Sequence, residues 1–315
     1  MEEKRKLIID TDCGSDDAMA IAMAMNDPAY EVIMFTTVSG NVRMKQATLN
    51  TLTTLEYIDK YYPPVYEGTN EMLVREWVGA AETHGQDGLG DLGYVPKKLK
   101  ADEGNGVLKM LEALRNGKDK EIDIIALGPL TNLAIAIRLE PETMKKANRI
   151  VVMGTAGLGT GNVSPLAEFN IWQDPEACKV VLEAGFENLV FVGWDACLDD
   201  SMLDADEIRR IKESSKLGEF LVNSNKDLLL LNNWRFGCDC LDMADPAAMA
   251  AALYPECIEK QGKYFCEVET ARSISYGAVL VDTYRFSGKP ENATIVSKLN
   301  PRLYKDYILK TLGVE

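Results

Sequence analysis

The sequence predicts an α/β protein built on one open, mostly parallel sheet with helices on both faces. Short strands alternate with helical segments, and the strands are apolar along their whole length. Such strands are typical of a parallel sheet that helices cover on both sides. Glycine and polar residues follow the strands repeatedly. We expect these residues to line one edge of the sheet, where ligands bind in open α/β folds.

The first strand, predicted at residues 7–9, leads into a dense group of carboxylates. Residues 10–17 are Asp-Thr-Asp-Cys-Gly-Ser-Asp-Asp, and a helical pattern follows over residues 18–25 before an Asn-Asp-Pro sequence ends it. The acidic residues therefore lie between the end of a strand and the start of a helix. Because four carboxylates within eight residues repel one another, we expect a hard cation such as Ca²⁺ or Mg²⁺ to compensate their charge.

Other interpretations of this acidic segment explain less of it. In a solvated turn, Ser15 caps the helix and Asp16 and Asp17 complement its dipole, but Asp10 and Asp12 have no role. An EF-hand needs Glu at its twelfth position, and counted from Asp10 the segment has none there. A phosphotransferase with the first Asp of an Asp-x-Asp pair as nucleophile does not require the glycine and the Asp pair that follow. A metal and catalytic site explains the whole segment.

The later elements continue the alternation of strand and helix. The second strand, predicted at residues 31–38, precedes a helix at about residues 43–58. Further strands are predicted at residues 64–66, 122–127, 149–153 and 189–192, each followed by glycine within two residues. No linker, low-complexity tract or fixed-period repeat divides the chain. Residues 1–315 are therefore predicted to form a single domain.

Two glycine-rich segments interrupt this pattern. Residues 77–94 contain five glycines and the only histidine, His84, and residues 154–167 lead into Glu168-Phe169-Asn170. Glycine-rich loops of this length in a compact domain are usually functional. The run Gly-Leu-Gly-Thr-Gly at residues 157–161 lacks the Gly-x-Gly-x-x-Gly spacing, so we expect no dinucleotide site.

Composition limits the classes of partner and compartment. The 315 residues carry a formal net charge of −15, which argues against nucleic acid because phosphate binding needs clustered Lys and Arg. Seven cysteines without a C-x-x-C pair indicate reduced thiols, of which Cys13 and Cys240 are candidates for positions near a site. The sequence has no signal-peptide pattern and no apolar run of membrane-spanning length. We expect a cytoplasmic protein without a membrane partner.

Several motifs occur in an order that points to one family. Residues 10–18 are similar to an Asp-x-Asp-x-Gly-x-Asp-Asp-Ala signature, with Cys13 where Pro is more usual. The other similar segments are residues 35–41, 127–133, 152–177, 244–246 and 268–282. The set resembles the calcium-dependent, inosine–uridine-preferring nucleoside hydrolases and spans nearly the whole chain. The resemblance implies their Rossmann-like fold and a homo-oligomer, either a dimer or a tetramer.

The resemblance also implies the composition of the site. It implies a Ca²⁺ ion held by the side chains of Asp12, Asp17 and Asp245 and the backbone carbonyl of Thr131, with water and the ribose 2′- and 3′-hydroxyls completing the shell. An all-oxygen shell suits Ca²⁺ better than Zn²⁺. Asp12 is implied to be the general base that takes a proton from a calcium-bound water. The implied substrate contacts are Asp16, Asn41, His84, Met153, Asn162, Glu168 and Asn170.

The sequence departs from the family at the leaving group. Broad-specificity members carry His before the last Asp ligand and purine-selective members carry Trp, but this chain has Ala244. The base preference therefore stays open. Residues that can stack on a nucleobase or donate to it are Trp77, Tyr94, Trp234, Arg235 and Cys240.

The predicted function is calcium-dependent hydrolysis of the N-glycosidic bond of ribonucleosides in purine and pyrimidine salvage. The alternative is a catalytically impaired, calcium-dependent ribose- or nucleoside-binding protein. Ala244 favours that alternative, whereas the retention of Asp12 opposes it, because a binding protein needs no base. A magnesium-dependent phosphohydrolase is a weaker alternative, since the sequence near the acidic segment lacks the basic residues of a phosphate site.

Overall fold

The strands define a large sheet and a small ribbon. The computed structural model describes residues 4–314. Within this range the strands are β1 (Arg5–Thr11), β2 (Tyr30–Thr37), β3 (Val65–Glu67), β4 (Ile122–Ala126), β5 (Arg149–Met153), β6 (Leu189–Val192), β7 (Ile258–Tyr264), β8 (Cys266–Val268), β9 (Val279–Val281) and β10 (Ala293–Leu299).

The main sheet has the order β3-β2-β1-β4-β5-β6-β10-β7. Every neighbouring pair is parallel except the pair of β10 with β7, which is antiparallel at one edge. Strands β8 and β9 pair with each other in a separate antiparallel ribbon. The predicted fold class, an open and mostly parallel α/β sheet, is confirmed.

Helices connect the strands and cover the sheet. In the described residues the α-helices are α1 (Ser15–Asn26), α2 (Met44–Ile58), α3 (Ala81–His84), α4 (Gly106–Asn116), α5 (Thr131–Leu139), α6 (Pro141–Met144), α7 (Phe169–Gln173), α8 (Pro175–Glu183), α9 (Ala205–Ser214), α10 (Lys216–Ser224), α11 (Lys226–Phe236), α12 (Ala244–Leu253) and α13 (Pro301–Thr311). None of the helices within residues 4–314 has the length and apolar composition needed to cross a bilayer.

The main sheet separates two apolar cores. Leu7 and Ile9 of β1 belong to one core together with residues of α1, α2 and α12, and Ile8 belongs to the other with residues of α4, α5 and α8. Successive side chains of a strand point to opposite faces of a sheet. All three side chains are fully buried, so both faces of the sheet are covered, as the apolar strand pattern predicts.

Helices α1 and α12 pack against each other in the larger core. Apart from their ends, both helices are buried on all sides, and both are rich in alanine, whose small side chain lets helix backbones approach closely. Asp16 and Asp17 lie in the first turn of α1, and Asp245 lies in the first turn of α12. The helix packing therefore brings together carboxylates that are more than two hundred residues apart in the chain.

Candidate active site

The carboxyl ends of the central strands open into a cavity of about 470 Å³. Asn41 follows β2, Leu127 follows β4 and Met153 ends β5, and all three residues line the cavity. Asp16 and Asp245 line it from the starts of α1 and α12. This edge of an open α/β sheet is where ligands bind. The volume is in the range, roughly 300–1,000 Å³, of small-molecule sites.

Three buried carboxylates lie close together, two at the cavity wall and one, Asp17, behind it. Asp16, Asp17 and Asp245 each offer an oxygen, and these oxygens all lie within 4.8 Å of one another. The Asp17 carboxylate is fixed by local donors, because the Thr11 hydroxyl donates to its Oδ1 at 2.5 Å and the Gly14 N–H donates to its Oδ2 at 2.7 Å. The N–H of Asp245 points at Asp16 Oδ2, 3.4 Å away. The group is a pre-formed set of oxygen ligands.

Asp12 is fully buried beside this group and does not itself line the cavity. Its Oδ2 accepts the N–H of Asn41 at 2.6 Å. A Cβ atom at Gly40 would lie 2.0 Å from Asp12 Oδ2, and one at Gly128 would lie 2.8 Å from Oδ1. The two glycines, which follow β2 and β4, therefore leave the space that the Asp12 carboxylate occupies.

The clustering of the carboxylates disfavours their charged forms. Burial, with repulsion from Asp16, raises the pKa of Asp17 to about 7. Burial and repulsion from the neighbouring carboxylates also raise the pKa values of Asp12 and Asp245 well above the ordinary value for Asp. The nearby basic group is His84, whose Nδ1 is 3.8 Å from Asp16 Oδ1. Because burial lowers the pKa of His84, this ring does not supply a full positive charge near pH 7.

The residues fit a metal ion. Asp12 Oδ1 and Asp16 Oδ1 are buried without a hydrogen-bond partner, and unpaired buried charges are costly. A cation bound among these carboxylates would offset their repulsion and give Asp12 Oδ1 a partner, while Asp16 Oδ1 would stay available to a ligand in the cavity. Because the donors are all oxygens, the chemistry suits a hard ion. The buried triad of Asp16, Asp17 and Asp245 can therefore bind a metal.

The structure does not bring Thr131 to the cavity. Thr131 is the first residue of α5, and its hydroxyl donates to Asp174 Oδ2 at 2.6 Å. The carbonyl of a first helical residue is directed along the axis, to the N–H four residues on. Leu127, four residues earlier, lines the cavity, and its carbonyl accepts from Asn170 Nδ2 at 2.6 Å. Leu127 is therefore better placed than Thr131 to offer a backbone ligand, and sequence reasoning missed it because a carbonyl carries no side-chain signal.

The predicted substrate contacts converge on the cavity. All seven line it: Asp16, Asn41, His84, Met153, Asn162, Glu168 and Asn170. The side chain of Glu168 caps α7 by accepting the N–H groups of Asn170 and Ile171, at 2.8 and 3.2 Å. Asn162 Oδ1 accepts the N–H of Phe169 at 2.9 Å, which ties the glycine-rich loop to the same helix. Burial raises the pKa of Glu168 to about 7.

His84 is held against the start of α1. Its Nδ1 lies 2.8 Å from the Ser15 hydroxyl and accepts the Ser15 N–H at 3.3 Å. A Cβ at Gly14 would lie 3.0 Å from this nitrogen and 2.7 Å from Asn41 Nδ2. The glycine of the acidic segment is therefore needed for His84 and Asn41 to approach the carboxylates.

Comparison with known proteins agrees with this arrangement. The family model of the inosine–uridine preferring nucleoside hydrolases matches residues 7–306. The chain belongs to this family. As a nucleoside hydrolase it is a glycosidase that splits ribonucleosides with water, so the predicted family and enzyme class are confirmed.

Known relatives align with this nucleoside hydrolase over almost its whole length. The pyrimidine-specific ribonucleoside hydrolase RihB of Escherichia coli (strain SE11) is 32% identical over 294 residues, which are 93% of this chain and 92% of RihB. The structure of the plant nucleoside hydrolase PpNRh1 has a TM-score of 0.92 and 29% identity and covers 99% of this chain and 100% of its own. A purine-preferring ribonucleoside hydrolase from Gardnerella vaginalis has a TM-score of 0.89, 25% identity and 98% coverage of both chains.

Among the site residues, the candidates for contact with a nucleobase were predicted least well. Of the five candidate residues, Arg235 lines the cavity, whereas Trp77, Tyr94, Trp234 and Cys240 do not. Cys13 is buried and does not line the cavity either, but it interacts with the carboxylates of Asp17 and Asp12, so it lies near the site. Ala244 lines the cavity, and so do two residues that sequence reasoning missed, Trp194 and Asp242. Trp194 comes two residues after the predicted strand at residues 189–192, a position that could have indicated the ligand-binding edge, whereas Asp242 belongs to no motif with a recognisable spacing.

Proposed function

We propose that this nucleoside hydrolase is calcium-dependent and that Asp12 is its general base. The observation that carries the proposal is the buried, unpartnered Asp12 Oδ1 beside the carboxylates of Asp16, Asp17 and Asp245. Asp12 Oδ2 accepts the Asn41 N–H. Because a carboxylate oxygen has more than one lone pair, the unpartnered Oδ1 can contact the metal and also accept a proton.

The proposed metal ligands are the carboxylates of Asp12, Asp17 and Asp245 and the carbonyl of Leu127. Leu127 replaces Thr131, whose carbonyl the family resemblance implied, because the carbonyl of a first helical residue is directed along the helix axis, whereas Leu127 lies at the cavity wall. A bound Ca²⁺ would supply the positive charge that keeps the carboxylates ionised and makes a nearby water more acidic. The choice of Ca²⁺ over Mg²⁺ rests on the number of available oxygens and the family resemblance.

The protein's own residues supply the rest of the chemistry. Asp12 takes the proton of the water that attacks the anomeric carbon, and a base positioned in this way contributes roughly 10²–10⁴-fold to the rate. Cleavage of a ribosyl bond builds positive charge on the sugar. Asp16 and Glu168, both buried at the cavity wall, lie where negative charge would stabilise that state. Asn41, Asn162 and Asn170 would hydrogen-bond the sugar hydroxyls.

The substrate class is a ribonucleoside, while the preferred base is a matter for experiment. One relative described above is named pyrimidine-specific and another purine-preferring. The test is release of reducing sugar from a panel of purine and pyrimidine ribonucleosides, with and without a calcium chelator. We expect ribose release that the chelator stops and added Ca²⁺ restores.

Other results of this assay would contradict the proposal. Ribose release that survives exhaustive chelation would remove the metal from the reaction. Tight nucleoside binding without release would favour the ribose- or nucleoside-binding alternative, and phosphate release from nucleotides would favour a phosphohydrolase. The homo-oligomer and the cytoplasmic location stay predictions. Size-exclusion chromatography with light scattering tests the oligomeric state, and imaging of a tagged chain tests the location.

A further inference from the structure

Departure of a nucleobase needs a proton as well as an attacking water. When the ribosyl C–N bond breaks, its electron pair stays with the base, and the base leaves more easily if a ring atom is protonated. The buried titratable side chains that line the cavity are Asp16, His84, Glu168, Asp242 and Asp245. If the proposed function holds and the proton comes from a buried side chain of the cavity, one of these five supplies it.

Four of these five side chains are committed elsewhere. Asp16 and Asp245 belong to the carboxylate cluster. Glu168 accepts three backbone N–H groups and caps α7. His84 accepts the Ser15 N–H with Nδ1, and its pKa is lowered by burial, so it holds no second proton to give near pH 7. Asp242 is left.

Asp242 is a buried carboxyl group with a fixed orientation. It lies in the loop between α11 and α12, lines the cavity and is 4% exposed. Asn232 Nδ2 donates to its Oδ1 at 2.7 Å, and Trp194 Nε1 donates to its Oδ2 at 3.1 Å. Asn232 is fully buried, and its amide also donates to the Cys240 carbonyl at 3.1 Å. The carboxyl group is therefore oriented by two neutral donors, and each oxygen keeps a lone pair for a proton.

We propose that Asp242 is the general acid that protonates the departing nucleobase. This inference rests on the proposed function and adds a second catalytic residue to it. The C–N bond breaks, its electron pair remains on the base, and the Asp242 carboxyl proton moves to a ring atom of the base. The attacking water bonds to the anomeric carbon and loses a proton to Asp12. The products are ribose and a neutral base. Asp12 then releases its proton to solvent, and Asp242 regains one from solvent, which restores the starting state.

The groups around Asp242 are compatible with this role. Arg235 of α11 favours the carboxylate by its charge, but burial is the larger effect, and the pKa of Asp242 is raised to about 6. The other titratable groups that interact with it are Cys197, Cys240 and Tyr304 of α13. Burial raises the pKa values of all three, so they are neutral near pH 7. A proton donor works best when its pKa is near the working pH.

The test compares two leaving groups in one variant, Asp242→Asn. The amide keeps the size of the side chain and an oxygen that can accept one hydrogen bond, but it carries no transferable proton. The substrates are a panel of ribonucleosides and p-nitrophenyl ribofuranoside, whose phenolate leaves without protonation. We expect kcat on ribonucleosides to fall by about 10²–10⁴-fold and kcat on the nitrophenyl riboside to change by less than about threefold.

A matched control is Asp195→Asn. Asp195 lies next to Trp194, and its pKa is likewise raised to about 6 by burial, but it does not line the cavity. We expect this variant to leave the ratio of the two rates unchanged. Asp242→Glu keeps an acid in the loop, and we expect it to recover part of the loss on ribonucleosides.

The ratio of rates is the readout because it does not depend on the fraction of folded protein. An equal loss on both substrates in Asp242→Asn would make Asp242 a positioning residue and overturn the proposal. Unchanged ribonucleoside hydrolysis would overturn it too. If the wild type releases ribose from neither kind of substrate, the proposed function fails and this inference fails with it.

Discussion

Replacement of Asp12 by Asn tests both roles proposed for this residue. The change removes one negative charge and the proton acceptor while keeping the shape of the side chain. The amide oxygen can keep the hydrogen bond with the Asn41 N–H, now 2.6 Å from Asp12 Oδ2. The amide nitrogen then replaces Oδ1, the oxygen without a partner. The fold should tolerate the substitution because Gly40 and Gly128 leave room for a group of this size.

The structure sets the expected magnitudes for Asp12→Asn. Loss of a general base costs roughly 10²–10⁴-fold in kcat, which is about 3–5 kcal/mol of barrier. The metal-free variant should be more stable than the metal-free wild type, because burial and repulsion from Asp17 and Asp16 already raise the pKa of Asp12. Calcium should stabilise the variant less than the wild type, since one ligand is lost.

Two assays on Asp12→Asn check these expectations, with Asp10→Asn as the matched control. Asp10 is as buried as Asp12 and lies two residues before it, and one of its oxygens takes both hydrogen bonds, from Thr36 and Asn132. Ribose release should collapse in the Asp12 variant and largely survive in the Asp10 variant. Thermal melting with and without Ca²⁺ measures the stability of the metal-free proteins and the stabilisation that calcium adds. A wild-type rate in Asp12→Asn, or a metal-free Tm below that of the wild type, would refute the reasoning.

Three further predictions follow from the same geometry. Gly40→Ala should lower activity by about 10²-fold, since the Cβ of the new alanine would lie 2.0 Å from Asp12 Oδ2. Measurements of kcat and of calcium affinity check this prediction, and an unchanged calcium affinity would contradict it. Calcium at about a hundred times its Kd should stabilise the wild type by about 2.7 kcal/mol, and Asp245→Asn should lose most of this gain in a melting assay. Burial raises the pKa of Glu168 from 4.5 to about 7, so between these values the unfolded chain loses a proton that the folded metal-free protein keeps. The associated stabilisation of the folded state, about 3 kcal/mol, is fully present below pH 4.5 and is lost as the pH rises to 7. Glu168→Gln should flatten the free energy of unfolding plotted against pH over this range. A plot as steep as that of the wild type would contradict the assignment.

The central strands were predictable because burial on both faces leaves an apolar pattern. The predicted residues 7–9 form the middle of β1 (Arg5–Thr11), and residues 122–127 and 149–153 match β4 and β5 to within one residue. The edge strand β7 (Ile258–Tyr264) was not predicted, because it is mostly polar and half-exposed. Its partner β10 (Ala293–Leu299) was missed as well, since its antiparallel pairing with β7 interrupts the strand–helix alternation.

The site was predictable where side chains carry the chemistry. The acidic segment is recognisable by residue type and spacing alone. The seven substrate contacts were implied by the family resemblance, and all seven line the cavity. The family resemblance implied Asp245 as a ligand, but local pattern alone could not, because Asp245 joins Asp17 through the packing of α1 on α12. Leu127 offers a backbone carbonyl, and Asp242 is oriented by distant donors. The sequence marks the position of Leu127, at the end of a predicted strand, but not the role of its carbonyl, and it gives no signal for Asp242.

A crystal structure with Ca²⁺ and ribose measures the central claim most directly. We expect the ion in contact with Asp12, Asp17, Asp245 and the Leu127 carbonyl, with the sugar hydroxyls on its open side. A structure in which the ion binds elsewhere, and these oxygens touch neither metal nor sugar, would contradict the account.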